Sequence, residues 1–495
     1  MNYKNLSRFK KLLMIFQFSA IVFMGYCQDV SQKEYSKDSV VNVLGEIRLY
    51  IEEVHPNPYH STTKSYIDSV IGLEAMILPD SLSEKELYEL ILPIVNSYND
   101  GHIQVKCQFG KYINKAINEN KGIFPLTLYQ LNDNVYVKLS VFDSIVKPGY
   151  QLLSIDYVSI DSIINEYSKY KSGDNLEIRR RKVVEDFTVL DYFTNNGKES
   201  YTIGFQKGNS EILYAELPSA KMIDIIEFNK SYSPPKKKKH FSNSLIKMDE
   251  FIYFQVHPKR SIALLTLPSF AIDNGIEQEY GNKIDSIFHY LSSQNIDTLL
   301  IDIRENQGGR DYSGMCILKY IATSDYSYGQ AIMKTSTHQQ NLYREILEKE
   351  LSDSLYLKGK EYYNYFLRKY GDVFSLESNS LQKSKPEDLF KGKVFVLIGE
   401  KTYSAAVSFA AVCKCYGFAT LIGEETDGQM VSYTSLVPVH LSIPCIQFGV
   451  AHRKVVNPCA DSSFGGLKPD ILINKSNENH LANIDEIIEF ILNGL

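Results

Sequence analysis

Tryptophan is missing from all 495 residues, although tyrosine (35) and phenylalanine (25) are plentiful, and nothing functional follows from its absence. A dominant charge is missing too. Lysine and arginine number 53 against 59 aspartate and glutamate, and the formal charge of −6 gives no overall field for nucleic acid or anionic lipid. Cysteine is sparse: seven in the chain, with no Cys-x-x-Cys pair and no second ligand cluster. No metal site is therefore expected, nor any other cofactor. Cys413 and Cys415 are two apart on an expected helix and do not face one another, so most cysteines read as small buried hydrophobes. Export would permit disulfides, but spacing alone does not pair them. Disorder as the main state is excluded by 44% hydrophobic and 23% charged residues, ordinary values for a globular protein.

A chain of this length exceeds one ordinary core, so two or three domains are expected. Lys4, Arg8, Lys10 and Lys11 precede an apolar run from Leu12 to Tyr26, interrupted by Gln17 and Ser19. The run is short for a membrane span, which needs about 20 apolar residues, and suits a signal peptide over residues 1–27. Its removal deletes four positive charges and takes the formal charge from −6 to about −10. An exported protein, periplasmic or in the cell envelope, is expected, with no stable membrane span once the signal is removed. A lipid anchor at Cys27 is not favoured, because a small residue should precede such a cysteine and Tyr26 stands there.

Residues 30–110 read as a small helical domain. Val40, Val41, Val43, Leu44, Ile47, Leu49, Tyr50 and Ile51 make an apolar stripe, a second helix is expected near Ser65–Met76, and Ser81-Leu82-Ser83-Glu84 resembles a capping box opening a third. Residues 111–232 are β-rich, punctuated by Pro148-Gly149 before the apolar strand Leu152–Ile155. That turn and strand look like the carboxylate-binding loop of PDZ domains, so a PDZ-like domain is expected there. Ser233-Pro234-Pro235 and four lysines read as an exposed linker over 233–243. From 244 to 495 strands and helices alternate, which argues an α/β domain, broken by a polar, largely helical insertion at about 326–391.

Two strand ends in that domain stand out. Leu299–Ile303 is a nearly all-apolar strand, as in a sheet buried on both faces, and empties into a loop ending in Gly308-Gly309. Paired glycines let backbone N–H groups approach a ligand atom, although a simple turn accounts for them equally well. Val394–Ile398 leads to a turn and to Ser404, which opens an alanine-rich helix through Ala405 and Ala406. A serine in that place is first of all an N-cap. The helix start also offers free N–H groups and partial positive charge, which stabilise an oxyanion forming beside the hydroxyl.

The pairing of L-L-I-D-I-R-E-N-Q-G-G (299–309) with T-Y-S-A-A-V-S-F-A-A (402–411), followed by A-T-L-I-G-E-E-T-D-G-Q (419–429) and G-G-L-K-P-D-I (465–471), resembles the C-terminal-processing (tail-specific) serine peptidases. The resemblance implies a ClpP/crotonase-like core and hydrolysis of protein or peptide substrates through an acyl-enzyme. It implies Ser404 as nucleophile, with an oxyanion hole from the N–H of Ala405 and that of Gly308 or Gly309. One departure matters. Where the tail-specific branch has an activating lysine, this chain has Gln429, which cannot accept the serine proton, so the base must come from elsewhere.

Asn99-Asp100-Gly101-His102 resembles the Asp-Gly-His segment of the tricorn-like Ser/His branch, which makes His102 the candidate base, with His440 and His452 as rivals. A histidine titrates near 6.5, suited to taking a proton near neutrality. For an orienting acid the resemblance points to Asp461, near the branch's glutamate, and Asp100 is a second candidate. The competing reading is a non-catalytic protein of the same fold that holds peptides or a hydrophobic ligand.

Overall fold

The computed structural model describes residues 34–494 except 108–111, 113, 115–118, 120, 143–144, 209, 222, 225–245, 248–250, 273–275, 349–359, 361–362, 378–388, 462–464 and 478–484. The signal segment 1–27 and the linker 233–243 lie outside the described residues.

The apolar stripe from Val40 to Ile51 lies on α1 (Lys37–Val54), which buries Val40, Val43, Leu44, Ile47 and Ile51 but leaves Val41 and Leu49, off that face of the 3.6-residue period, exposed. After the His55-Pro56 break, α2 (Lys64–Ile77) starts at Thr63, which accepts from the Tyr66 N–H. The helix α3 (Glu84–Asn96) does open with a capping box, but the box is Ser83 with Glu86 rather than one beginning at Ser81. Residues Ser81–Ser83 are drawn out as a short strand against Glu34–Ser36, which moves the helix start forward.

The segment β1 (Gln104–Lys106) leads into the β-rich region. There β2 (Leu126–Leu131), β3 (Asn134–Ser140), β4 (Gln151–Ile155), β5 (Val158–Ser159), β6 (Ser200–Gln206) and β7 (Leu213–Pro218) form a six-stranded sheet, ordered β7-β6-β4-β3-β2 with β5 on β4. Three helices lie between β5 and β6: α4 (Ile160–Tyr167), α5 (Leu176–Glu185) and α6 (Phe187–Asn195). Phe187, Leu190 and Phe193 of α6 pack on Phe124, Leu126 and Tyr201 in one apolar cluster.

The remainder runs through β8 (Ile246–Lys247), β9 (Tyr253–Val256), β10 (Ile262–Thr266), α7 (Glu277–Ser293), β11 (Thr298–Asp302), α8 (Asp311–Ile321), β12 (Gln330–Lys334), α9 (Thr337–Glu348), β13 (Val373–Glu377), β14 (Lys393–Ile398), α10 (Ala405–Cys415), β15 (Thr420–Gly423), β16 (Val431–Val439), β17 (Gln447–Val456), β18 (Ile471–Leu472) and α11 (Glu486–Gly494). A seven-stranded sheet, β8-β9-β10-β11-β14-β15-β18, is parallel from β10 onward. Successive side chains of a strand point to opposite faces. Leu299 and Ile301 accordingly pack under α7, α8 and α10, while Leu300, with Leu397 and Ile422, packs on Ile487, Ile488 and Ile491 of α11. Both faces are covered, which is why these strands read as largely apolar runs. The domain is an α/β core.

Among its described residues the 326–391 segment holds helix, as expected of the insertion, and also two strands that were not expected. It carries α9, but β12 and β13 pair with each other and extend a second, five-stranded sheet, β13-β12-β17-β16, with β1 on β17. Ala331 and Met333 alternate with exposed or half-exposed neighbours, a period of two that the surrounding Tyr, Lys and Glu obscured. This sheet is what the N-terminal helices cover: Val40, Leu44, Ile47 and Ile51 share one buried cluster with Val437, Val439, Phe448 and Val450. A chain beginning at Ser242 would bare those four strand residues, so it is expected to bind a hydrophobic dye and to unfold at lower temperature than the full chain. An equal midpoint without dye binding would show that the helices are dispensable for stability. Among the described residues no helix is long and apolar enough to cross a membrane.

Candidate active site

The turn after β14 is tied down before it reaches Ser404. Thr402, fully buried, donates its hydroxyl to the Ile303 carbonyl (2.9 Å) and accepts from the Gly399 N–H (3.1 Å), while the Tyr403 N–H bonds to the Asn306 carbonyl (3.0 Å). These bonds fasten the end of β14 to the end of β11. Ser404 then takes φ 52° and ψ −125°, a sparsely populated conformation for a residue with a Cβ, which costs on the order of 1–3 kcal/mol and persists only where surroundings over-determine it. The residue occupies the N-cap position of α10, yet its side chain makes no cap hydrogen bond. Capping therefore does not explain the serine. The hydroxyl is half-buried, and among the described residues the Ala405 N–H beside it has no acceptor.

The loop after β11 is held from inside by Asn306. This fully buried amide donates to the Leu267 carbonyl (2.9 Å) and accepts from the Gly308 N–H (2.8 Å). Gly308 has φ +94°, and a Cβ there would sit 2.8 Å from the Ser404 Cβ and 2.9 Å from the Ala405 nitrogen. Only glycine lets the loop lie this close to the serine turn. Because Asn306 claims the Gly308 N–H, the neighbouring Gly309 N–H is the one left without an acceptor among the described residues.

His102 arrives from a different part of the chain, between α3 and β1, and the pairing of β1 with β17 anchors that arrival to the core. Its ring stacks on Tyr403, the residue before Ser404, with centroids 5.5 Å apart and planes 19° apart. The Nδ1 atom is buried without a hydrogen-bond partner. Burial pushes the imidazole below its ordinary value of 6.5, against the Asp174 and Asp100 carboxylates, which push it back up, and with Lys182 and His55, which push it further down. Asp100 does not touch the ring. One of its oxygens accepts the His102 backbone N–H (2.6 Å) and the other bonds to His55 Nε2 (2.9 Å). His55 Nδ1 accepts from the Asn57 N–H (3.1 Å), so Nε2 carries the proton and donates. Burial opposes the Asp100 charge, but the bond from His55 holds its pKa below the usual carboxylate value.

His55, His60 and Asp100 are also the one cluster among the described residues with ligand atoms within 4.8 Å of one another, and so could approach a metal ion. Both ring nitrogens of His55 and both oxygens of Asp100 are already engaged. The group is better described as a hydrogen-bonded support for the loop bearing His102.

The remaining expected residues have settings of their own, and the chain just before Gln429 packs on the nucleophile turn, where the Gly428 N–H bonds to the Thr402 carbonyl (3.2 Å). Asp461 is exposed, two residues beyond Cys459. Cys459 pairs with Cys415 at the end of α10, so two of the cysteines read as buried hydrophobes form a disulfide (Cα–Cα 5.9 Å). His440 is exposed. His452 is buried in β17, where its Nδ1 meets the Ser435 carbonyl (2.5 Å), and burial lowers its pKa to about 4. Gln429 is buried and spends its amide on the carbonyl of Asp427 (3.0 Å). Gln429→Ala should therefore lower activity only modestly, within about tenfold, through loss of one net hydrogen bond of about 1 kcal/mol. Complete loss with an unchanged melting curve would assign Gln429 a chemical role.

Asp174, His55 and Lys182 were missed by sequence reasoning. Asp174 lies in Ser-Gly-Asp-Asn (172–175), which reads as a turn and helix start and carries no further signal.

Residues 261–473 match the family model of Peptidase family S41. Among solved structures, mature CPAF superposes with a TM-score of 0.63 at 13% identity, over 91% of this chain and 96% of that one. The complex of mature CPAF with lactacystin gives 0.60 at 13% identity, over 92% and 97%. At such identity the likeness is one of fold. No curated protein matches the sequence.

Proposed function

Because the chain belongs to peptidase family S41, the C-terminal-processing peptidases, and is a serine-type peptidase acting on protein or peptide substrates, we propose that Ser404 is its nucleophile and His102 its base. The observation that carries this reading is Ser404 itself: a strained, uncapped serine whose neighbour Ala405 has an N–H without an acceptor among the described residues, and whose other neighbour, Tyr403, carries the stacked ring of His102 with its unpartnered Nδ1. In the proposed reaction the Ser404 oxygen attacks the scissile carbonyl carbon as its proton passes to His102. The developing oxyanion takes hydrogen bonds from the N–H groups of Ala405 and Gly309, aided by the positive end of α10. His102 returns the proton to the leaving amine, and water, deprotonated by the same histidine, releases the acyl group. Ser404 and His102 are not hydrogen-bonded in the free protein, and such contacts often tighten only with substrate bound. The placement of His102 favours the tricorn-like arrangement over a Ser–Lys pair, since Gln429 stands where the lysine would be.

A fluorophosphonate probe tests the assignment. Covalent labelling, mapped by mass spectrometry, is expected at Ser404. An intact protein that hydrolyses peptides yet is labelled elsewhere, or not at all, would remove Ser404 from the mechanism. The proposal includes export with loss of residues 1–27, which N-terminal sequencing of protein from the cell envelope checks.

A further inference from the structure

Three segments remote in sequence meet at a single carboxylate. Asp174 Oδ1 accepts the Gly101 N–H (2.8 Å), one residue before the proposed base. Asp174 Oδ2 accepts the Tyr403 hydroxyl (2.5 Å), one residue before the proposed nucleophile. Asp174 belongs to neither segment. It sits in the β-rich region, on the loop entering α5, and that loop is itself fixed. Asn175 caps α5 by accepting from the Ile178 N–H (3.0 Å), and the Lys182 ammonium reaches back from α5 to the Ser172 carbonyl (2.8 Å). The fit is close on the other side as well: a Cβ at Gly101 would run into the Tyr403 hydroxyl and lie 3.2 Å from both Asp174 oxygens.

We propose that Asp174 is a positioning residue that assembles the catalytic pair, holding the nucleophile turn through Tyr403 and the base loop through Gly101 with the two oxygens of one carboxylate. The proposal rests on the assignment of Ser404 and His102 given above. A carboxylate suits the place because both partners are donors and both of its oxygens accept. An amide offers one acceptor and one NH₂, so Asn at this position must set a donor against a donor. The ring of Tyr403 is the wall on which His102 stacks, so the bond to its hydroxyl fixes that wall as well as the turn. The β-rich region thereby becomes part of the catalytic centre's frame, although it supplies no reacting atom.

The test compares Asp174→Asn and Tyr403→Phe in the full-length protein, with Ser404→Ala measured beside them. Asp174→Asn is expected to lower kcat by about 10- to 100-fold with KM changed less than about threefold, because misplacement of reacting groups costs turnover rather than binding. Tyr403→Phe keeps the stacked ring and loses only the hydroxyl, so it should lower kcat by less. The double variant should be no worse than Asp174→Asn alone, since both remove the same bond. The acid limb of the kcat/KM profile adds a readout that a merely structural role would not move. The charged and titratable groups facing His102 are Asp174, Asp100, Lys182, His55 and Tyr403. With the Asp174 charge gone, the imidazolium loses its leading support and the limb should shift to lower pH. Tyr403→Phe should leave the limb in place. If Ser404→Ala is inactive while Asp174→Asn keeps wild-type kcat and acid limb, the positioning proposal is overturned and the Ser404 assignment stands. If Ser404→Ala retains turnover, the assignment beneath the proposal has failed instead. Should Asp174→Asn not fold, Tyr403→Phe decides, and wild-type kcat in that variant overturns the proposal.

Discussion

Ser404→Ala is expected to lower peptide turnover by about 10⁴-fold or more and to abolish fluorophosphonate labelling, because it removes the oxygen that forms the acyl-enzyme in the proposed reaction. Stability should barely change. The usual cost of removing an N-cap is about 1 kcal/mol, but the Ser404 side chain makes no cap bond to lose. The positive φ adds a sharper comparison. Alanine inherits the strain at φ 52°, whereas glycine does not, so Ser404→Gly should be the more stable of two equally inactive variants, by on the order of 1 kcal/mol. Thermal unfolding of the two proteins measures that difference. Turnover near the wild-type level in either variant would end the proposed mechanism.

His102→Ala is expected to lower kcat/KM by on the order of 10³-fold, the middle of the usual range for a positioned general base. His440→Ala should be mild, since His440 is exposed, and His452→Ala should act on stability rather than chemistry, since its ring is sealed in β17. The pH profile carries the sign. A base works only when neutral, so activity falls as pH drops through its pKa. Burial sets the His102 value below 6.5, so the acid limb should lie below that of an exposed histidine and activity should persist into mildly acidic solution. The same shift bears on stability. The unfolded chain binds the proton more readily than the folded one, so stability is complete above about 6.5 and declines as pH falls toward the folded value. A limb above 6.5, or a profile unchanged in His102→Ala, would point to a different base.

The sequence by itself determined the core and the local setting of Ser404. Two largely apolar strands, Leu299–Ile303 and Val394–Ile398, pointed to a sheet covered on both faces, and the residues after each, Gly308-Gly309 and Thr402-Tyr403-Ser404, are local turn chemistry that short-range rules can read. Gln429 likewise, standing where the resemblance places a lysine, pointed the proposed base to another part of the chain. The tertiary structure decided what depends on distant partners. Nothing around Asn306 shows that its amide takes the Gly308 N–H and leaves that of Gly309 open. Nothing near Asp174 shows that it meets Gly101 and Tyr403, 73 and 229 residues away. The strands β12 and β13 were hidden because an edge sheet among charged residues has a weak alternation, and they become legible only once β17 pairs with β12. A hydrogen bond across hundreds of residues leaves no periodicity in the chain, because it depends on where folded elements dock and not on which residues are neighbours.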